Sequence, residues 1–459
     1  MHRQMNEGEL VMKNTMIFLF ALAACAAHAA ATVSDVAISA DTESRMVTIS
    51  YTLSENAVVT ADILTNGVSI GKGNLVFMAG DVNHKITSGT SRKIYWAADE
   101  AWPGHRFDES ILSARVTAWA DDDPPDYMVV DLRATNKQEI AFYETVEQVP
   151  FGVTNNLYKT DKLVMRRVRA RGVEWMMGSP SDETGRKGYA ASEAKYEYCH
   201  RVTLTNDYYL GIYEVTQKQC KWAYGSFESA FVNEEDSPMR PVDAVACNKI
   251  RGARSTVAEQ WPDQGHQVTS SSILGKFRSR TGVEFDLPTS AQWEFACRAG
   301  TRTALYNGRN LSASNGENTG LNPIAWYDVN SAEGYVSNQT HVVGMKLAND
   351  WGFYDMLGNV NEYVLDAYYK DDSIYFTDTP EIEPVGAKIS EGNTSTSYNS
   401  QRFYRGGNWK GVAYLCRSAY QRSLDTWYWD AGRAGIWGFR MAAPAHVPET
   451  LNPVTEVEE

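Results

Sequence analysis

Arg405-Gly406-Gly407-Asn408-Trp409, answered further on by Trp437-Gly438-Phe439-Arg440, is the stretch on which the reading of this chain turns. Neither run carries the apolar spacing of a helix or the strict alternation of an exposed strand, and the glycines beside Asn and Trp suit tight, aromatic-packed loops. The same texture begins at Leu163, after which Gly, Trp, Asn and Tyr are dense and long helical periodicity is scarce. Two helices are legible. One starts near Thr216 and includes Gln217, Cys220 and Trp222. The other follows Pro288-Thr289, where Gln292 completes a capping-box pattern, Trp293, Phe295 and Ala296 face inward at least in part, and Gly300 is a natural stop. Ser271 to Arg280 offers a third.

Before this region the pattern is that of strands. Val47, Ile49, Tyr51 and Leu53 alternate with more polar neighbours, and Val58 to Leu64 runs into the tight-turn dipeptide Asn66-Gly67. Ile94-Tyr95-Trp96, Leu112 to Trp119 and, beyond the loop Asp121–Asp126, Tyr127 to Leu132 continue the series. The spacing predicts a β-sandwich of the immunoglobulin or fibronectin type over 30–132, serving as a spacer or adhesion module. A polar connector is expected over 133–160, a loop-rich α+β domain over 161–445 and a tail over 446–459.

A chain of 459 residues points to two domains. A net charge of -14 speaks against nucleic acid as a partner, since phosphate binding needs clustered Lys and Arg. Lys13, the apolar run Met16 to Leu22 and the A-x-A site Ala27-His28-Ala29 form an export signal over 1–29, with Met12 as an alternative start. Leu22-Ala23-Ala24-Cys25 also resembles the lipobox of bacterial lipoproteins, so a lipid anchor on Cys25 is the alternative to free secretion. In either case the mature protein is expected outside the cytoplasm, and no later stretch reads as a transmembrane helix. Cleavage beyond Ala29 leaves Cys199, Cys220, Cys247, Cys297 and Cys416, an odd set without a C-x-x-C pair.

Met177-Gly178-Ser179-Pro180, His200-Arg201-Val202-Thr203-Leu204 with Tyr209, Gly211 and Glu214-Val215-Thr216, Leu287 to Ala296, and Trp351 to Glu362 follow one another in the order of a known family. With the Arg405 and Trp437 runs, they resemble the blocks of the formylglycine-generating enzymes, or sulfatase-modifying factors. The resemblance implies a variant of the C-type-lectin fold. It also implies oxidation of a sulfatase cysteine by a copper(I) ion held on two thiolates, which are soft ligands suited to it. The family pattern, roughly R-G-G-S-x-x-C-x-x-x-x-C, puts its first cysteine on Gly411 and its second on Cys416. Only Cys416 is present.

Two further sets of residues follow from the resemblance. Relatives hold structural calcium in the segment Gly358 to Glu362, and the hard oxygen donors available here are the Asn359 side chain, the Val360 carbonyl and the Glu362 carboxylate, with Asn330 in a second loop. The bland reading of the same residues is a hydrogen-bonded turn. Relatives receive substrate peptide beside the stretch that follows Cys416. Trp409, Arg417, Tyr420, Arg422, Trp427, Tyr428 and Trp429 would line that groove, by stacking and polar clamping. Arg405 and Arg440 read as ion-pair partners. The expectation is therefore an exported, catalytically divergent member that recognises a peptide or glycan. The alternative is an oxidase of an exported protein, using copper on Cys416 and an unidentified second thiol.

Overall fold

Alternation in Met46–Leu53 buries Val47, Ile49, Tyr51 and Leu53 and leaves the residues between them half-exposed, as a strand with one covered face requires. The computed structural model describes residues 30–451 except 42, 107, 135–138, 187–196, 228, 233–234, 253–267, 333–337, 368–380, 383, 385–400, 426–434 and 450. The export signal, Cys25, Trp427, Tyr428, Trp429 and nine of the fourteen tail residues lie outside the described residues.

Met46–Leu53 lies between Val33–Ala40 and Gly89–Ala97, and the latter also pairs with Met78–Gly80. A second sheet is built on Ala57–Thr65, which pairs antiparallel with Leu112–Trp119 along its whole length. Asn66 and Gly67 turn that strand back onto Val68–Ser69 with φ of 52° and 75°, the left-handed pair that a two-residue hairpin demands. Ile49, Ile63, Ile94 and Trp96 belong to the hydrophobic cluster of these strands, separate from the larger cluster that follows.

Tyr127–Asp131 departs from the expected sandwich. It pairs with Ile140–Tyr143 and Lys162–Val168 in a five-stranded antiparallel sheet completed by Tyr208–Gly211 and Ala442–Pro444. Every residue of the strand is buried, so it is covered on both faces, whereas an outer sandwich strand would alternate. Ile140–Tyr143, expected in a polar connector, is the end strand of this sheet. Phe142 donates its N–H to the Asn83 carbonyl at 2.7 Å and Gln148 Nε2 to that of Ala61 at 3.3 Å, tying the sheet to the N-terminal strands. Ala31–Glu459 accordingly packs as one unit around two cores.

The helices start where their caps predict. Thr216 and Gln219 form a capping box on Gln217–Tyr224, which ends at the left-handed Gly225. Thr289 and Gln292 do the same for Ser290–Arg298, although its left-handed stop is Ala299 (φ 44°), one residue before Gly300. Ser272 caps Ile273–Thr281. Asn361–Ala367 pairs antiparallel with Gln401–Arg405 and parallel with Trp437–Gly438 in the sheet that carries the candidate site. Among the described residues no helix is long and apolar enough to cross a membrane.

Candidate functional site

The motif blocks meet around a buried charge system. Arg440 donates through Nη2 to Glu362 Oε1 at 2.8 Å and through Nε to Oε2 at 3.1 Å. Trp293, inward on its helix, donates its indole N–H to the same Oε2 at 2.7 Å. Glu214, from the E-V-T block, accepts from Asn359 Nδ2 at 2.6 Å and from the Val360 N–H at 3.1 Å. Gly358 (φ 84°) brings its backbone against Trp326, where a Cβ would lie 2.3 Å from the carbonyl oxygen, so the turn requires glycine. Asn359 follows at φ 56°, a conformation Asn tolerates because its short amide bonds locally.

Asp355 completes the cluster. Its Oδ2 accepts from the Gly344 N–H at 2.5 Å, while Oδ1 has no hydrogen-bond partner among the described residues. Burial pushes its carboxyl up to about 6, against the pull of that N–H and of Arg440. Burial, then the charges of Asp355 and Glu362, push Glu214 well above the usual carboxylate range. All four side chains are sealed from solvent. The arrangement holds the Gly358–Glu362 turn in place.

The residues named for calcium make hydrogen bonds of their own. Calcium takes six to eight oxygens at short range, which Glu362 cannot help supply while a guanidinium and an indole N–H occupy its carboxylate. Asn359 Oδ1 accepts from the His341 N–H at 3.0 Å, and its amide is committed to Glu214. Asn330 Oδ1 accepts from the Tyr327 N–H at 3.0 Å and its amide donates to the Ala325 carbonyl at 3.0 Å, the turn-capping arrangement. The side chains named for the ion are thus engaged in hydrogen bonds within the protein.

Cys416 is fully buried and burial pushes its thiol up to about 12. The thiolate is the form that ligates copper and attacks, and burial works against that form here. No disulfide joins the five described cysteines. At Gly411, where the family pattern has its first cysteine, there is no thiol, and an added Cβ would press on the Leu415 side chain, 3.0 Å from Cδ1.

The expected groove residues separate. Arg417 is buried, its guanidinium held by Glu183 and Glu197 at 2.7 Å each, and it clamps the fold to itself. Tyr420 is buried against Tyr404, and burial raises its hydroxyl pKa. Neither lines an open groove. Arg422 is exposed. Trp409 is 7% exposed and donates its indole N–H to the Gly435 carbonyl at 2.5 Å. Its ring meets that of Phe231 edge-on, 5.5 Å between centroids. Arg405 is an ion-pair residue, 3.0 Å from Glu294, as its place in the motif suggests.

Phe231, with Ser229 and Ala230 before it, is a neighbour of Trp409 that pattern reading does not reveal, because the segment carries no periodicity or motif. Asp243, fully buried, accepts from the Ala230 N–H at 2.6 Å. Gln217, recognisable only as the start of a helix, donates Nε2 to Ser229 Oγ at 2.8 Å and to the Phe231 carbonyl at 2.9 Å.

Residues 165–445 match the sulfatase-modifying factor enzyme 1-like domain, and the chain belongs to that family. It is 27% identical over 268 residues to a protein of Paenibacillus barcinonensis named chaperone protein LppX, a match covering 52% of this chain and 82% of that protein. It is 26% identical over 211 residues to the formylglycine-generating enzyme of Bos taurus, covering 46% of this chain and only 51% of the enzyme. Among solved structures, PvdO from Pseudomonas aeruginosa matches 61% of this chain and 94% of its own at 19% identity, with a TM-score of 0.43. Treponema denticola variable protein 1 matches 65% and 97% at 22% identity, with a TM-score of 0.41.

Proposed function

We propose that this protein is an exported, noncatalytic recognition member of the sulfatase-modifying factor family, which holds a peptide or glycan at the surface beside Trp409. One observation carries this reading: the position of the family's first cysteine is Gly411, which has no thiol, and the remaining one, Cys416, is buried with its pKa raised to about 12. An oxidase needs a thiolate pair that oxygen and substrate can reach. The Paenibacillus relative is named a chaperone, a name that suits holding another polypeptide better than oxidising it. The N-terminal strands act as an immunoglobulin- or fibronectin-like spacer that presents the family domain away from its point of export or anchorage.

The test is copper(I) titration of the reduced protein beside a Cys416→Ser variant, with a sulfatase-derived cysteine peptide as oxidation substrate, and a peptide and glycan screen in parallel. No stoichiometric copper, no oxidation and a saturable hit in the screen are expected. Copper binding that vanishes in Cys416→Ser, with peptide oxidation, would restore the oxidase.

A further inference from the structure

The segment Ser229–Phe231 lies over Trp409 in the way a bound peptide would. The groups beneath it are buried and polar: Asp243 is fully buried, Gln217 is 1% exposed and Trp409 7%. The segment itself is at the surface, with Ala230 exposed and Ser229 and Phe231 half-buried. Asp243 takes the Ala230 main-chain N–H at 2.6 Å, as well as the Ser229 hydroxyl. Gln217 Nε2 gives a hydrogen bond to the Phe231 carbonyl at 2.9 Å, and the Phe231 ring meets Trp409 at an interplanar angle of 80°. One main-chain donor, one main-chain acceptor and one aromatic ring are thus each matched by a fixed group of the domain.

The match is incomplete. Gln217 Oε1, on the same buried amide, has no donor among the described residues. Its orientation is settled by the Phe231 and Pro241 carbonyls that Nε2 serves, so the unpaired atom is the acceptor. A buried acceptor left unpaired favours any occupant that brings one more N–H. The opposite wall is equally specialised. Gly435 adopts φ +62°, and a Cβ there would lie 2.8 Å from that of Ala230 and 3.2 Å from the Phe231 ring, so the wall is shaped to the side chains that lie on it.

We infer that Ser229–Phe231 is an internal occupant of a peptide site, whose external ligand is a polypeptide segment offering an aromatic side chain to Trp409, an N–H to Asp243 and a carbonyl to Gln217. The inference rests on the recognition reading above and names its ligand class. A tethered occupant competes at high effective concentration, so external affinity is reduced by the fraction of time the site is filled.

The probes are a synthetic peptide of residues 226–232, SFESAFV, and the same peptide with alanine in place of the phenylalanine at position 231. Titrated into the full chain, the first peptide should bind the Phe231→Ala variant at least about tenfold more tightly than the wild type, and the alanine peptide should bind neither well. Amide hydrogen exchange on the wild type keeps the inference testable if that variant folds poorly: excess peptide should speed exchange at Ala230. Equal affinity for both proteins, equal affinity for both peptides, or peptide binding that leaves Ala230 protected would overturn it. If a glycan or an unrelated peptide from the screen binds both proteins alike, this site falls while the recognition reading stands. If nothing in either set binds, both fall.

Discussion

The two cores of this molecule are built on opposite principles. The N-terminal cluster is apolar, assembled from every second residue of its strands: Val47, Ile49, Tyr51 and Leu53 on one, Val59, Ala61 and Ile63 on another. The family domain buries charge at its centre, with Glu214, Asp355, Glu362 and Arg440 sealed together and Arg417 and Arg405 fixed on further buried carboxylates. Apolar burial is non-directional and tolerates exchange, whereas a buried ion pair depends on each partner being present. The first core can therefore be trimmed in small steps, and the second breaks at a single substitution.

The largest loss of stability is expected from Arg440→Ala. It leaves the Glu362 carboxylate uncompensated among Glu214 and Asp355, for which about 3–5 kcal/mol is expected. Denaturant unfolding followed by near-UV circular dichroism should show the loss in the family domain. A loss below about 1 kcal/mol would mean that the buried charge cluster does not hold the family domain together. Trp293→Phe keeps an aromatic ring in the core but removes the 2.7 Å bond to Glu362, a charge-assisted bond worth about 1.5–3 kcal/mol.

Acid should move the two regions in opposite directions. Asp355, Asp243 and Asp366 are each raised from 3.8 to about 6, chiefly by burial, so between those pH values the folded family domain holds protons that the unfolded chain has released. Their contribution is fully present below about 3.8 and lost as pH rises through about 6. The lowered carboxyls of Asp207 and Glu294 oppose this only at the acid end, their contribution being lost as pH falls below the ordinary carboxylate range. In the N-terminal strands, burial lowers the His84 pKa from 6.5, so its contribution is complete above that value and is lost on acidification. Hydrogen exchange at pH 5 and pH 7 should show the Asn361–Ala367 sheet better protected at pH 5, and the Met46–Leu53 sheet better protected at pH 7. Parallel responses would remove the electrostatic half of the comparison.

These principles also decide what can be read without a structure. Alternation is local, so Met46–Leu53 and the Asn66-Gly67 hairpin are legible residue by residue, and the capping boxes at Thr216 and Thr289 are equally local. Tyr127–Asp131 misleads because a strand covered on both faces carries no period that assigns it to a sheet. At the site, composition shows that aromatic and charged residues follow Cys416 but not which way they point. Arg417 and Tyr420, plausible as clamps, turn inward because Glu183, Glu197 and Tyr404 come from distant segments to meet them. Phe231 is invisible for the same reason: its meaning depends on Trp409, and the two meet only in the fold.

The apolar core should yield far less to a single substitution. Ile49→Val removes one methylene from a core that relaxes around it and should cost about 0.5–1.5 kcal/mol. Chelation with EGTA should be smaller still in the family domain, since Glu362 is engaged by Arg440 and Trp293 and leaves calcium no carboxylate in the Gly358–Glu362 turn. A differential scan with and without EGTA should give coincident transitions within about 1 °C, against the 2–4 °C that 1 kcal/mol moves a domain of 150–250 residues. A larger fall on chelation would mean that Arg440 gives up the carboxylate to a cation, and that the charged core is assembled by an ion after all.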